Sequence, residues 1–307
     1  MRKRIALLLV LAMVLSFPAC GEKKEENGHS LKDAVGSVEK DLKSDRETPA
    51  ERPAEGPFLE ETIMLDNEEC SIRFTGVEIN EFGEFLLKAC LENKSSRATY
   101  TFLITDGTVN GVSASPLFAV DVAPGEKLQK EIFFWSPRLE ENGITRFTDI
   151  GIAFRVSDSS NYMADPVAEP SMHLYPYGED QAERFVREPQ PGDIVLLDTP
   201  DVTVIANGVT RDNIWGQTVN LYIENRTDLF LMVSADEAVV NGIEANPIFA
   251  CEIGPDSCGF TGVSWTNEVL EEKGIQDLEE IEMELRIYDS RDWSAPDFFR
   301  EVVTFRP

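Results

Sequence analysis

Apolar and polar residues alternate with a period of two over many short stretches of the chain after residue 58. The clearest stretch, residues 281–287, reads I-E-M-E-L-R-I, and residues 150–156 follow the same pattern. Successive side chains of a β-strand point to opposite faces of a sheet, so this period predicts strands with one face in a core and the other in water. About seven such strands and one short helical turn in about 115 residues are typical of an immunoglobulin-like β-sandwich. Parallel α/β folds need more helix than the pattern contains.

A repeated stretch divides this pattern into two copies. Residues 109–119 read V-N-G-V-S-A-S-P-L-F-A, and residues 240–250 read V-N-G-I-E-A-N-P-I-F-A. The match extends on both sides with one residue deleted, which indicates a duplication. We therefore predict an all-β protein with two tandem immunoglobulin-like antiparallel β-sandwiches. Copy one covers residues 58–178, copy two covers residues 193–307, and residues 179–192 are the predicted linker.

Turn signals lie between the predicted strands of both copies. Asn110-Gly111 and Asn241-Gly242 supply residues that tolerate a positive φ angle, which tight hairpin turns require. Residues 123–126, A-P-G-E, are typical of a type II turn. The sequence therefore predicts a hairpin at the same point of each copy.

One short helical turn is predicted in each copy. In copy one, Ser136 and Pro137 suit the N-cap and first helical positions. In copy two, Asn267 opens the corresponding turn. Gly143 and Gly274 follow at the position where helices commonly end in a left-handed residue.

The N-terminus has the pattern of an export signal. Residues 2–4 are basic, and residues 5–15 form an apolar segment too short to span a bilayer. The A-C-G sequence that follows resembles the lipobox of bacterial lipoproteins, in which the cysteine is lipidated and becomes the new N-terminus. The resemblance implies a signal peptide over residues 1–19, a lipid anchor on Cys20 and an extracytoplasmic location at the bacterial cell membrane. An ordinary secretory signal is the alternative.

A polar segment separates Cys20 from the first predicted strand. Residues 20–57 are rich in Glu, Lys, Ala and Pro, and Phe58 is the first aromatic residue after Cys20. This composition predicts a flexible stalk, with an average span of roughly 30 Å if it is a random coil. Such a length is enough to lift the two copies off a membrane.

The charge of the chain restricts its partners. The formal net charge is -28 over 307 residues. A field of this sign repels nucleic-acid phosphates and anionic lipid headgroups, so we predict no nucleic-acid partner. The negative charge is otherwise typical of a solvated surface.

Four cysteines follow Cys20. Cys251 and Cys258 flank the turn at residues 254–257, close enough for a candidate disulfide, although the alternation places them on opposite faces. Only a bulge at the turn reconciles those faces. Cys70 falls on the inward face and Cys90 on the outward face of their strands, which disfavours a direct cross-strand pair.

The sequence contains no catalytic motif that we can identify. His29 lies in the stalk, and His173 falls on the outward face of the last strand of copy one. Zincin, thiol redox, hydrolase-elbow and dinucleotide motifs are all missing from the sequence. The Asp-rich loops at residues 158–161 and 289–292 favour Asx turns over calcium sites, since their spacing does not match an EF-hand. We predict no catalytic residues, no cofactor, no metal and no enzymatic activity.

Aromatic side chains are the candidate binding residues. Tyr162 aligns with Trp293 just after the Asp-rich loops, and Trp135 alternates with the inward Phe134. Exposed rings of this kind suit sugar stacking or a protein partner. The alternative is that they cover an end of the sandwich. Trp265 aligns with Phe134 and is predicted to be core.

The repeated elements resemble the tandem immunoglobulin-like modules of lipoproteins from Gram-positive anaerobes. The resemblance rests on the Trp215-Gly216 strand start, the V-N-G-x-x-A-x-P-x-F-A motif, the L-E-E-x-G-I motif and the closing strand, and covers residues 58–307. It implies fold and location, and it carries no catalytic residues. We therefore expect a membrane-anchored surface lipoprotein with a non-enzymatic binding or structural role, and an envelope protein or glycan as partner. A carbohydrate-binding accessory module is the first alternative, and an extracellular hydrolase the second.

Overall fold

A computed structural model describes residues 56–134, 137–212 and 216–307. Within these residues the chain is mostly β-strand in three sheets, which confirms the predicted all-β, β-sandwich-like class. The predicted signal peptide, Cys20, nearly all of the predicted stalk and Trp135 lie outside the described residues.

The strands of copy one alternate with short connections, and one helix interrupts them. In chain order they are β1 (Thr62–Asp66), β2 (Cys70–Ile79), β3 (Phe85–Asn93), β4 (Tyr100–Val109), β5 (Val112–Ser113), β6 (Ala119–Val122), β7 (Lys127–Phe133), β8 (Ile150–Asp158) and β9 (Ser171–Leu174). Helix α1 (Pro137–Glu141) lies between β7 and β8.

Copy two has the same elements in the same order. Its strands are β10 (Asp193–Asp198), β11 (Val202–Asp212), β12 (Gly216–Asn225), β13 (Leu231–Val240), β14 (Ile243–Glu244), β15 (Ala250–Ile253), β16 (Ser257–Trp265), β17 (Ile281–Asp289) and β18 (Phe299–Phe305). Helix α2 (Asn267–Lys273) lies between β16 and β17, and a single 3-10 turn (Glu179–Gln181) lies between the copies. Each described strand of copy one therefore has a counterpart in copy two.

Strand pairing joins the two copies. Strands β1-β2-β3-β7 form a four-stranded antiparallel sheet in copy one. Their counterparts β10-β11-β12-β16 do not form a separate sheet, because β16 pairs in parallel with β5 of copy one and completes a nine-stranded sheet. The remaining strands of copy two form a five-stranded sheet, ordered β14-β13-β17-β18 with β15 on β13.

Two clusters of buried apolar side chains lie within one compact unit, Ala50–Pro307. Core one draws mainly on β2, β3, β4 and β8, and core two on β11, β12, β13 and β17. Each fully buried large apolar side chain contributes roughly 1.5–3 kcal/mol of transfer free energy. Trp265 is fully buried in core two, as predicted, and its Nε1 donates to the carbonyl of Ala245 at 2.8 Å.

The repeated V-N-G motif forms the same turn twice. Asn110 and Asn241 have φ angles of 52° and 53°, and the glycines after them have φ angles of 79° and 80°, which confirms the predicted hairpin turns. The Asn110 side chain accepts hydrogen bonds from the N–H groups of Thr148 and Asp149, at 2.9 and 3.1 Å. The Asn241 side chain does the same for Glu279 and Glu280, at 3.0 and 2.9 Å. Each asparagine thus ties its hairpin to the segment before the next long strand.

Both helices begin at the predicted residue. Helix α1 begins at Pro137, as predicted. Helix α2 begins at Asn267, as predicted, and its N-cap is the preceding Thr266, whose hydroxyl accepts from the N–H of Val269 at 3.3 Å. Gly274 ends α2 in the left-handed conformation at φ 67°. Neither described helix is long and apolar enough to cross a membrane.

Part of the outer face of β11, β12 and β16 is buried against copy one. Tyr222 and Cys258 belong to core one although copy two contributes them. Ile205 and Phe260 pack against the same cluster. The Cys258 N–H also donates to the carbonyl of Gly111 at 2.9 Å. The alternation predicts these side chains on the outward face, and the structure shows that this outward face is a junction between copies.

The segment between the copies, predicted as a linker, packs onto both of them. Arg184 makes a two-pronged ion pair with the Asp256 carboxylate of copy two, at 2.8 and 2.9 Å. The N–H of Phe185 donates to the carbonyl of Asn110 in copy one at 2.8 Å. The Phe185 ring meets the Phe260 ring edge to face, with centroids 5.6 Å apart. This segment therefore holds the junction together.

None of the four described cysteines forms a disulfide with another described residue. Cys251 lies on β15 and packs against core two, whereas Cys258 lies on β16 and packs in core one. The candidate Cys251–Cys258 disulfide is therefore not formed, because the two side chains face different cores. Cys70 lies opposite Asn93 in the β2–β3 pair, so Cys70 and Cys90 are not cross-strand neighbours.

Candidate binding surfaces

An exposed tryptophan marks the first surface, which lies on the five-stranded sheet of copy two. Trp293 follows β17 and is 72% exposed. Its ring lies 5.6 Å from the ring of Tyr288, which stands on the outward face of β17. The exposed Phe298 is held close by, since its N–H donates to the carbonyl of Ile287 at 2.8 Å. We call Arg286, Tyr288, Trp293 and Phe298 the Trp293 patch.

Arg286 lies beside Tyr288 in this patch and is held in place by Asp297. Its guanidinium lies 4.2 Å from the centroid of the Tyr288 ring, within the range of a cation–π contact. It also donates two hydrogen bonds to the Asp297 carboxylate, at 3.0 and 2.9 Å. These bonds hold the pKa of Asp297 below its usual value and raise the pKa of Arg286. The planar groups are therefore held in position before any partner binds.

Asx turns shape the loop that carries Trp293. Asp289 accepts from the N–H of Arg291 at 2.8 Å, and Asp292 accepts from the N–H and hydroxyl of Ser294 at 2.9 and 2.6 Å. The bonds from Ser294 hold the pKa of Asp292 below its usual value. The predicted Asx turn is confirmed here. In the described part of the chain, no group of three or more His, Cys, Asp or Glu side chains is placed to hold a metal ion.

The corresponding surface of copy one lacks the ring support. Tyr162 is 47% exposed, and Asp158 makes the matching Asx turn with the N–H of Ser160 at 2.8 Å. In copy one, the residue that corresponds to Tyr288 is Ser157, which is buried. Arg155 pairs with Glu169 at 2.5 Å. Tyr162 and Trp293 follow strands of different sheets, so the structure places them at separate but equivalent positions.

A hollow at one end of copy one was not predicted. It has a volume of about 380 Å³, and Phe82 on its rim is 78% exposed. We call it the Phe82 hollow; it is lined by Ile79, Phe82, Gly83, Glu84, Phe85, Phe133, Phe134, Glu140, Ile144, Thr145, Phe147 and Tyr177. The only signal in the sequence is the pair of phenylalanines in E-F-G-E-F at residues 81–85. Whether these rings surround a concavity depends on the turn geometry.

Aromatic rings form the base of this hollow. The Phe85 ring lies 4.9 Å from the Phe147 ring and 6.3 Å from the Phe134 ring. The guanidinium of Arg146 lies 4.1 Å from the centroid of Tyr177. Glu84 accepts a hydrogen bond from Asn80 at 2.6 Å, which fixes its carboxylate near the rim.

The predicted surface histidine is confirmed. His173 is exposed on β9, and its Nδ1 lies 2.6 Å from the Asp149 carboxylate. Its ring also stacks near Tyr175, with centroids 6.2 Å apart. The contacts of His173 are therefore with neighbouring side chains on the surface of copy one.

Several shifted pKa values lie at or beside the junction between the copies. Burial raises the pKa of the Cys258 thiol to about 11 and also raises the pKa of Tyr222. Burial raises the pKa of Asp106, and the charge of Glu252 acts in the same direction. The bidentate contact with Arg187 holds the pKa of Asp193 well below its usual value. These shifts follow from packing and ion pairing.

The comparisons with known proteins leave the function open. No protein-family model matches the sequence, and no curated protein matches it. Among solved structures, the chain is similar to the crystal structure of red sea bream transglutaminase, with 10% identity and a TM-score of 0.21. The similarity covers 81% of this chain and 31% of that chain, so this chain spans less than a third of that protein. A likeness at this level carries no argument about fold or activity.

Proposed function

We propose that this protein is a membrane-anchored lipoprotein of the bacterial cell surface that binds a partner in the envelope and does not catalyse a reaction. Two tandem immunoglobulin-like sandwiches on a lipidated stalk are part of the proposal. The equivalent strand orders of the two copies and their two core clusters support the tandem arrangement. The basic and apolar N-terminus with Cys20 supports the anchor.

The Trp293 patch is the observation that carries the binding role. Tryptophan, tyrosine and arginine are the residues that dominate binding energy at protein interfaces. Here Trp293, Tyr288 and Arg286 lie in contact on the outer face of a sheet, and Asp297 fixes the arginine. Groups that are already ordered lose little entropy on binding. The patch therefore suits recognition of a partner surface.

Site-specific photo-crosslinking tests this role. A photoreactive phenylalanine analogue at Trp293 is expected to yield a covalent adduct when the full chain is incubated with cell envelopes. The same analogue at Tyr162 is the matched control, because that position is also exposed but lacks the neighbouring rings. Equal adduct yields at the two positions, or none at Trp293, would contradict a partner on the Trp293 patch.

The anchor has its own test. Replacement of Cys20 with alanine removes the acceptor for the lipid, so we expect the variant to move from the membrane fraction to the soluble extracytoplasmic fraction. Radiolabelled palmitate should label the natural chain and not the Cys20→Ala variant. A variant that stays in the membrane fraction would overturn the lipoprotein proposal, whatever the result for the Trp293 patch.

Carbohydrate binding is the second candidate, and the exposed Trp293 ring favours it. Aromatic rings on a flat surface stack against the apolar face of a sugar ring. A glycan array probed with the full chain and with the Trp293→Ala variant separates the two candidates. Glycan signals lost in the variant support a carbohydrate partner, and a blank array together with a protein adduct supports a protein partner.

A further inference from the structure

We infer that the Phe82 hollow of copy one binds an organic cation, with an alkylammonium group held among its aromatic rings and carboxylates. This site is separate from the Trp293 patch and does not depend on the function proposed for it. Its shape is the first argument. A volume of about 380 Å³ falls within the range of about 300–1,000 Å³ that is typical of small-ligand sites. Its base is apolar, because Phe85, Phe134 and Phe147 pack together there.

The chemistry of the lining favours a cation. The described lining residues include two carboxylates, Glu84 and Glu140, and no basic side chain. Aromatic faces attract ammonium groups, and rings that surround such a group are a known mode of recognition. Arg146 already occupies one face of the Tyr177 ring, so the exposed Phe82 is the ring that offers a free face to a cation. The net charge of -28 also raises the local concentration of cations.

The corresponding end of copy two differs from the hollow at two lining positions, those of Ile79 and Phe85. At its corresponding end, Arg211 forms an ion pair with Asp277. Gln217, at the position of Phe85, donates to the carbonyl of Gln276 at 2.7 Å. Polar contacts in copy two thus involve the residues that correspond to the apolar Ile79 and Phe85 of copy one. Trp265 and Leu278 hold the positions of Phe134 and Phe147, so copy two keeps apolar side chains at these two positions.

A pair of matched probes tests the proposal. Choline carries a quaternary ammonium group, and 3,3-dimethyl-1-butanol has the same shape without the charge. In calorimetric titrations of the full chain we expect choline to bind about tenfold or more tightly than its neutral counterpart, the size of a partly desolvated cation–π contact. Vesicles of phosphatidylcholine form a second arm, since binding to them as well assigns a lipid headgroup rather than a free ligand.

Variants place the binding in the hollow. Phe82→Ala should weaken choline binding about fivefold, and Glu140→Gln about two- to threefold, because each removes one attraction for the cation. Both side chains are exposed, so the variants should fold, which a thermal melt checks. Glu271→Gln is the matched control, since Glu271 holds the position of Glu140 in copy two and is also exposed. Equal binding of the two probes, no choline binding, or equal effects of all three variants would overturn the proposal.

Discussion

Strands β2, β3 and β7 of copy one correspond to β11, β12 and β16 of copy two, but the outer faces of these two strand sets have different surroundings. In copy two, part of the outer face of β11, β12 and β16, including Tyr222 and Cys258, is buried against copy one. In copy one, Lys127 and Gln129 on the outer face of β7 are exposed, and Cys90 of β3 is buried. The difference lies in a few side chains. Ile205, Tyr222, Cys258 and Phe260 of copy two correspond to Arg73, Cys90, Lys127 and Gln129 of copy one.

This contrast shows how a duplicated module acquires a place in a larger structure. The inward residues of each copy form an apolar core, and each hairpin has an asparagine at the equivalent position. The charged or polar Lys127 and Gln129 leave β7 of copy one facing solvent, and the apolar residues at the corresponding positions of β16 join the sheet of copy two to copy one. Exchanging outer residues between the copies is therefore the most direct test of why the two outer faces differ in burial.

The largest expected effect is on the reactivity of two thiols. Cys258 is buried in core one and its pKa is raised to about 11, while Cys251 is only half-buried. A buried neutral thiol reacts only when the structure opens, so we expect Cys258 to be alkylated about 100-fold or more slowly than Cys251. Mass spectrometry of peptides from timed alkylation measures both rates.

The same experiment tests the disulfide that the sequence suggested. Without a reductant, a Cys251–Cys258 bridge leaves both residues unlabelled. Labelling of Cys251 alone supports the absence of the bridge and a buried Cys258. Equal labelling rates would contradict the burial of Cys258 at the junction.

The next effect is on stability. Phe260→Gln gives copy two the residue that copy one has at this position, and it removes the ring contacts with Phe185 and Tyr222. We expect the free energy of unfolding to fall by about 2 kcal/mol, less than for a fully buried phenylalanine. Urea unfolding followed by circular dichroism measures this change. Alkylation of Cys258 should become faster in the same variant.

The reverse exchange is the control. Gln129→Phe places a ring on the outer face of copy one, where no neighbouring copy packs among the described residues, so the change in stability should stay within about 0.5 kcal/mol. If both variants lose the same stability, the outer faces do not differ in the way described.

The alternation of the sequence predicted these outer positions but not their surroundings. It correctly gave the inward faces of β8 and β17, and the repeat correctly placed both hairpins. A period of two assigns a side chain to a face, and it does not say whether water or another module covers that face. The apolar Ile205, Tyr222 and Phe260 on an outward face were the available signal. The Phe82 hollow could not be predicted, because its concavity depends on how a turn folds over the end of the core.

A smaller effect comes from a half-buried carboxylate at the junction, that of Asp106. Asp106 of copy one lies against copy two so closely that a Cβ on Gly254 would come within 2.8 Å of its Oδ2. Burial raises the pKa of Asp106, so the folded protein binds its proton more tightly than the unfolded chain. This contribution to stability is complete below the unfolded pKa and is lost as the pH rises through the folded pKa.

Asp106→Asn removes the charge and keeps the shape. We expect the variant to be more stable than the natural chain at pH 7, by up to about 1 kcal/mol. The advantage should shrink as the pH falls through the raised pKa of Asp106. Denaturant unfolding at a series of pH values measures the difference. An advantage that is independent of pH, or a loss of stability at pH 7, would contradict a partly desolvated charge at this position.

The claim that copy two carries the binding surface is tested most directly by retention on cell envelopes. The full chain, its Trp293→Ala variant and its Tyr162→Ala variant are titrated against isolated envelopes, and the bound fraction is measured at each concentration. Loss of a central tryptophan typically costs about 2 kcal/mol, so Trp293→Ala should bind about 30-fold more weakly. Tyr162→Ala should change the affinity less than about threefold. Equal affinities for all three proteins would contradict the claim.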